Sequence, residues 1–73
     1  MSSVDQSIGL MMGLGSFGPA IAIGLIGAAA MIGMARNPSA SSKIQISMLI
    51  AIAFAEAVAI YILVMALILK FSA

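Results

Sequence analysis

Residues 44–69, Ile44-Gln45-Ile46-Ser47-Met48-Leu49-Ile50-Ala51-Ile52-Ala53-Phe54-Ala55-Glu56-Ala57-Val58-Ala59-Ile60-Tyr61-Ile62-Leu63-Val64-Met65-Ala66-Leu67-Ile68-Leu69, are an apolar run with one charged side chain at its centre. At ~1.5 Å rise per residue the run makes a helix of ~40 Å, longer than the ~30 Å hydrocarbon core of a bilayer. Backbone amides in lipid must bond within their own segment, so an unbroken run of this length reads as a spanning helix. A second such run, about Ile8 to Met34, precedes it. Between them lies a polar cluster, residues 35–43, containing Arg36-Asn37-Pro38-Ser39 and Lys43. Asn37-Pro38 disfavours helix there, and the serines that follow offer N-caps for the second helix. The expected fold is an all-α membrane hairpin of two transmembrane helices, about 8–34 and about 44–69, forming a single domain over 1–73.

Composition agrees. The chain is 64% hydrophobic and 7% charged, against the ~25% charged residues of ordinary soluble chains. It has no cysteine or histidine, which excludes disulfides, thiolate chemistry and imidazole metal sites. Nucleic-acid binding would need a basic patch, and Arg36, Lys43 and Lys70 are spread along the chain. No phosphate-cradling Gly-x-x-x-x-Gly-Lys motif is present, so no nucleotide chemistry is expected of the chain itself. Met1 to Ser7 carries Asp5 and no cation, the wrong charge for a secretory signal or a transit peptide. The chain is therefore expected to keep its N-terminus and to work where it is made, a bacterial plasma membrane in preference to an organelle-encoded inner membrane. Arg36 and Lys43 in the loop outnumber Lys70 near one end, which puts the loop in the cytoplasm and both termini outside. Lys70 reads as an interfacial anchor.

In the first helix Gly9, Gly13, Ser16, Ala20, Gly24 and Gly27 recur every three or four residues and share one face. Gly15, Gly18, Ala22, Ala29 and Gly33 form a second small line, and Leu10, Leu14, Phe17, Ile21, Leu25 and Ile32 make a bulky face. Small lines let helices pack closely in lipid. Two of them suit a helix with a neighbour on each side, as in a closed ring with heterologous contacts; the second line is also open to a reading as ordinary membrane-helix composition. Pro19 removes one backbone donor and predicts a mild kink.

Glu56 decides function. A charge at mid-membrane costs ~3 kcal/mol or more and is retained where it pairs, lines water or titrates. Its own helix face offers only Leu49, Ile52, Ala53, Ile60, Leu63 and Leu67. Without a countercharge, desolvation favours the neutral acid. A neutral Glu56 can face lipid, whereas an ionised one needs water or a cation, and that asymmetry is a gate. The plainer alternative is a structural glutamic acid hydrogen-bonded within a bundle. Tyr61, five residues on, points well away on an ideal helix, so the Glu56 of a neighbouring copy is its more plausible partner; filling a helix interface is the alternative.

Taken in order, Gly18-Pro19-Ala20-Ile21-Ala22-Ile23-Gly24-Leu25-Ile26-Gly27, then Ala35-Arg36-Asn37-Pro38, then Phe54-Ala55-Glu56 twenty positions after that arginine, the chain resembles the rotor-ring proteolipid, the c-subunit, of F-type ATP synthases over nearly its whole length. The resemblance implies a homo-oligomeric ring, first helix inside and second outside, turning against a stator a-subunit whose arginine meets ionised Glu56 between two aqueous half-channels. It implies proton binding at Glu56 with support from Tyr61, and ring packing through Gly13, Ser16, Ala20, Ala22, Gly24 and Gly27. It implies an Arg36-Asn37-Pro38 loop that contacts the gamma and epsilon subunits of the central stalk, with membrane lipids around the ring and no cofactor. Sodium-type relatives carry a hydroxyl just after the glutamate, where this chain has Ala57 and Val58, and Ile23 stands where sodium-type relatives, and some proton-coupled ones, carry a glutamine. A hard cation needs several oxygen ligands, so the expected ion is the proton. Ala20 and Ala22 stand where many members have glycine, which implies inner helices set slightly further apart. A competing function is a small holin-like pore former, which needs two spans but no titratable group at mid-membrane.

Overall fold

A computed structural model describes residues 3–72; residues 1, 2 and 73, the ends of the expected 1–73 domain, lie outside the described residues. The chain forms α1 (Ser3–Arg36), a short 3-10 turn (Pro38–Ala40) and α2 (Ser41–Ser72). The two helices lie antiparallel in a hairpin 54 × 15 × 10 Å. Both are long and apolar enough to cross a membrane. A length of 54 Å exceeds the ~40–45 Å of a bilayer with its headgroups, so the ends reach water.

The helices outrun the apolar runs at every end. α1 begins at Ser3 instead of about Ile8 and ends at Arg36 instead of Met34, while α2 starts at Ser41 and ends at Ser72. Apolarity marks only the part of a helix that lies in hydrocarbon, and polar residues continue a helix where water can solvate its last turns. The charges there suit the helix dipoles: Asp5 in the first turn of α1, Arg36 in its last turn, and Lys70 in the last turn of α2.

The loop is correspondingly shorter than 35–43. Asn37 leaves the helical region at φ −139°, ψ 77°, the α conformation being disfavoured before Pro38. The Asn37 N–H donates to the Gly33 carbonyl at 2.9 Å, and the Ala40 N–H donates to the Asn37 carbonyl at 3.0 Å. The expected serine caps do not form: Ser39 Oγ donates to Asn37 Oδ1 at 2.7 Å, and Ser41 is already in helical conformation. The 3-10 turn feeds directly into α2, so its own backbone bonds replace a side-chain cap.

Two helices make a seam, not a core. Among the described residues only Pro19, Ala30 and Ala66 are buried. The surface of 5264 Å² exceeds the roughly 4,200 Å² expected of a compact chain of this mass. Leu14, Phe17, Phe54 and Phe71 are each more than 60% exposed, so lipid or other chains must cover them.

Candidate functional site

The seam sets the register that places the site. A Cβ on Gly15 would meet Ile62 Cγ2 at 3.0 Å, and one on Gly33 would meet Ile44 Cδ1 at 3.4 Å. Counting inward from these two contacts puts Glu56 level with about Ile21, two residues from Pro19. Glu56 is also at the midpoint of α2 (Ser41–Ser72). The carboxylate therefore lies half-way along the hairpin, as deep in a bilayer as this molecule can put it.

Around the seam each helix has two flanks. Seam residues of α1 include Met12, Gly15, Pro19, Ile23, Ile26 and Ala30, and those of α2 include Ile44, Met48, Ala55, Ile62 and Ala66, all buried or half-buried. One step past a seam residue turns ~100° around the helix, and because the helices are antiparallel that step leads to the same flank in both. Gly13, Ser16, Ala20, Gly24 and Gly27 each follow a seam residue in α1, and Glu56 follows Ala55 in α2. The first small line and the carboxylate thus share one flank, and Glu56 is level with Ala20 within a residue or so. Gly18 and Ala22 precede seam residues, as does Tyr61, so they belong to the other flank.

The second small line is divided by the fold. Gly15 and Gly33 lie against the chain's own second helix, so they serve the hairpin and not a tight neighbour on that side, contrary to what their periodicity suggests. Periodicity reports that residues share a face without saying which helix meets that face. By contrast, a Cβ on Gly9, Gly13, Gly18, Gly24 or Gly27 meets nothing within 4 Å.

Glu56 is exposed in the single hairpin, and among the described residues it has no hydrogen-bond or ion-pair partner. Tyr61 is 67% exposed and stands about 140° from Glu56 around the helix. One chain does not bring the two together. Arg36, Asn37 and Pro38 are exposed at the turn.

One contact is not evident from hydropathy. Lys70 Nζ donates to Asp5 Oδ1 at 2.6 Å, joining the two free ends of the hairpin. The sequence presents Lys70 as an anchor alone. A signal for the pair is nevertheless there: opposite charges just beyond the free ends of the two apolar runs are brought side by side by a hairpin.

The chain matches the family described as the ATP synthase C subunit over residues 7–69. It is 50% identical over 66 residues to an ATP synthase c-subunit of Synechococcus sp. (strain JA-2-3B'a(2-13)), covering 90% of this chain and 82% of that protein. It is 45% identical over 65 residues to an ATP synthase c-subunit of Dehalococcoides mccartyi (strain ATCC BAA-2100 / JCM 16839 / KCTC 5957 / BAV1), covering 89% and 86%. It is 47% identical over 64 residues to the chloroplastic ATP synthase c-subunit of Emiliania huxleyi, covering 88% and 78%. No solved structure matches it.

Proposed function

Since this chain belongs to the ATP synthase C subunit family, and is thereby a non-catalytic rotor-ring component of the proton-driven membrane sector, we propose that Glu56 is the group that carries the proton. The observation that supports this reading is a lone carboxylate at the midpoint of an apolar helix, without a partner in its own chain among the described residues. Such a group is stable in hydrocarbon when neutral and needs water or a cation when ionised. A stator arginine supplies the cation at one place on the circle, so the carboxyl releases its proton there and takes up another before re-entering lipid. Rotation in one direction follows from proton supply on one side and removal on the other. No feature of the chain or its relatives favours the pore-forming alternative.

The flanks support the ring. Every copy carries Glu56 and the first small line on one side and Tyr61 with Gly18 and Ala22 on the other, so successive copies meet by unlike flanks and a rotation can close. The Tyr61 hydroxyl of one copy then approaches the Glu56 of the next. Around the carboxylate the chain offers Ala57, Val58 and Ile23, which give no oxygen for sodium; a proton needs only the carboxyl and one acceptor. The partners in this reading are identical copies of the chain, the stator a-subunit, the gamma and epsilon subunits of the central stalk at the Arg36-Asn37-Pro38 loop, and membrane lipids. Arg36 and Lys43 favour a cytoplasmic loop with both termini outside a bacterial plasma membrane.

A carbodiimide reacts with the protonated carboxyl, so it should modify Glu56 more slowly as pH rises, with no protection by sodium. Glu56→Gln should assemble and lose proton-coupled ATP synthesis in reconstituted vesicles. Labelling independent of pH, or synthesis retained by the variant, would remove Glu56 from this role.

A further inference from the structure

At the loop end of the hairpin an open cleft of about 510 Å³ lies against α1 and α2, with Ala29, Ala30, Gly33, Lys43, Ser47 and Ala51 among its lining residues. The small side chains make it wide. Ala29 precedes the seam residue Ala30 and Ser47 precedes Met48, so the cleft opens on the flank opposite Glu56. The flank that bears Glu56 is built the other way at the same depth. Met31 follows Ala30, Gln45 follows Ile44 and Leu49 follows Met48, so three long side chains stand there as a ridge. Met31 is 60% exposed and Leu49 55% exposed.

We propose that Met31, Gln45 and Leu49 of one copy seat in the cleft of the next copy, so that the loop half of the contact between neighbours is a ridge in a groove. The inference rests on the rotor-ring reading and adds the residues by which neighbours interlock. Three observations carry it. The ridge and the cleft share one depth, so rotation about the membrane normal superposes them. The ridge is continuous with Gly24, Gly27 and Glu56 on the same flank, and therefore with the contact already assigned to the ring. Small residues on one flank and long ones on the other give the shape complementarity that drives helix association in lipid, where burial alone gives no advantage. Filling the groove also removes a void whose walls would otherwise lack contacts. Gln45 meets Ser47 of the next copy, which gives the amide a partner at the end of the apolar span.

The chain has no cysteine, so engineered pairs report cleanly. Met31→Cys with Ala29→Cys, and separately Leu49→Cys with Ala51→Cys, put one thiol on each flank. Treated with a short bifunctional thiol reagent in the assembled particle, both should give a ladder of covalent multimers on denaturing electrophoresis. Met31→Cys with Gly27→Cys, both on one flank, should remain monomeric. A particle of unchanged mass that yields only monomer from the opposite-flank pairs would overturn the interlock and leave the ring standing; phospholipid retained in that particle would identify the groove's true occupant. If the unmodified chain formed no multimeric particle, the ring reading itself would fall. As a second measure, Ala29→Leu should lower the temperature at which the particle dissociates, and Met31→Ala in the same chain should recover part of the loss. An unchanged temperature in Ala29→Leu would also overturn the proposal.

Discussion

Lys70 and Asp5 illustrate how little a charge contributes once water reaches it. Their side chains are 51% and 35% exposed, and exposed pairs are worth about 0–1 kcal/mol after screening and side-chain entropy. The pair nevertheless closes the open end of the hairpin, where no turn holds the helices together, and each charge also complements its own helix terminus. Asp5→Asn should therefore lower hairpin stability in detergent by no more than about 1 kcal/mol, and the difference from the parent should vanish in molar salt. Thermal unfolding followed by circular dichroism at two salt concentrations measures both, and a loss of several kcal/mol that persists in salt would mean that the pair is buried. Glu56 is the opposite case. Its importance comes from lacking a local partner in the place where lacking one is most costly.

At the scale of the element, α1 separates two uses of glycine that look alike in sequence. Gly15 lets Ile62 approach, and an added methyl would meet Ile62 Cγ2 at 3.0 Å. Isoleucine is stiff at χ1 and cannot simply swing aside. Gly15→Ala is expected to cost the hairpin about 1–2 kcal/mol through overpacking. Gly24 faces open space in the single chain, so Gly24→Ala should leave the hairpin intact or slightly firmer, alanine being the better helix former. The same change should lower the dissociation temperature of the assembled particle, because it thickens the flank that a neighbour must approach. Unfolding of dispersed monomers and dissociation of the particle separate the two effects, and equal behaviour of both variants in both assays would contradict the assignment. Pro19 is buried in the seam of a helix that continues from Ser3 to Arg36. The donor it lacks leaves the Gly15 carbonyl without its usual partner, and neighbouring elements must supply the difference in lipid.

The whole molecule is an incomplete object by design of its surface. A hairpin 54 Å long and 10–15 Å across, with three buried residues among those described, has side-chain packing sufficient to set register and little more. Its remaining packing must come from lipid on the bulky face and from copies on the flanks. A mass measurement on the detergent-extracted particle is expected to return a whole multiple of the 7.4 kDa chain well above two. A monomer or dimer would be incompatible with two unlike flanks that cannot satisfy one another pairwise. Orientation is a property of the same scale. An impermeant thiol reagent should reach Ser39→Cys in inverted vesicles and not in right-side-out ones, and the reverse result would place the loop outside.

The sequence by itself determined the two spans, the turn at Asn37-Pro38 and the central depth of Glu56, because apolar length, a proline and a lone carboxylate act locally and need no partner to be read. It also carried the family pattern that led to the ring. Helix ends were less legible, since hydropathy stops where lipid stops while the helix continues into water. Only the tertiary structure decided which glycines of α1 serve the hairpin and which remain for neighbours, that Asp5 meets Lys70, and that Glu56 shares a flank with Ala20 while Tyr61 lies on the other. These depend on the angle at which one helix presents itself to another. A period of 3.6 residues sorts side chains into faces, but the seam, fixed by contacts far apart in the chain, decides which face is inside.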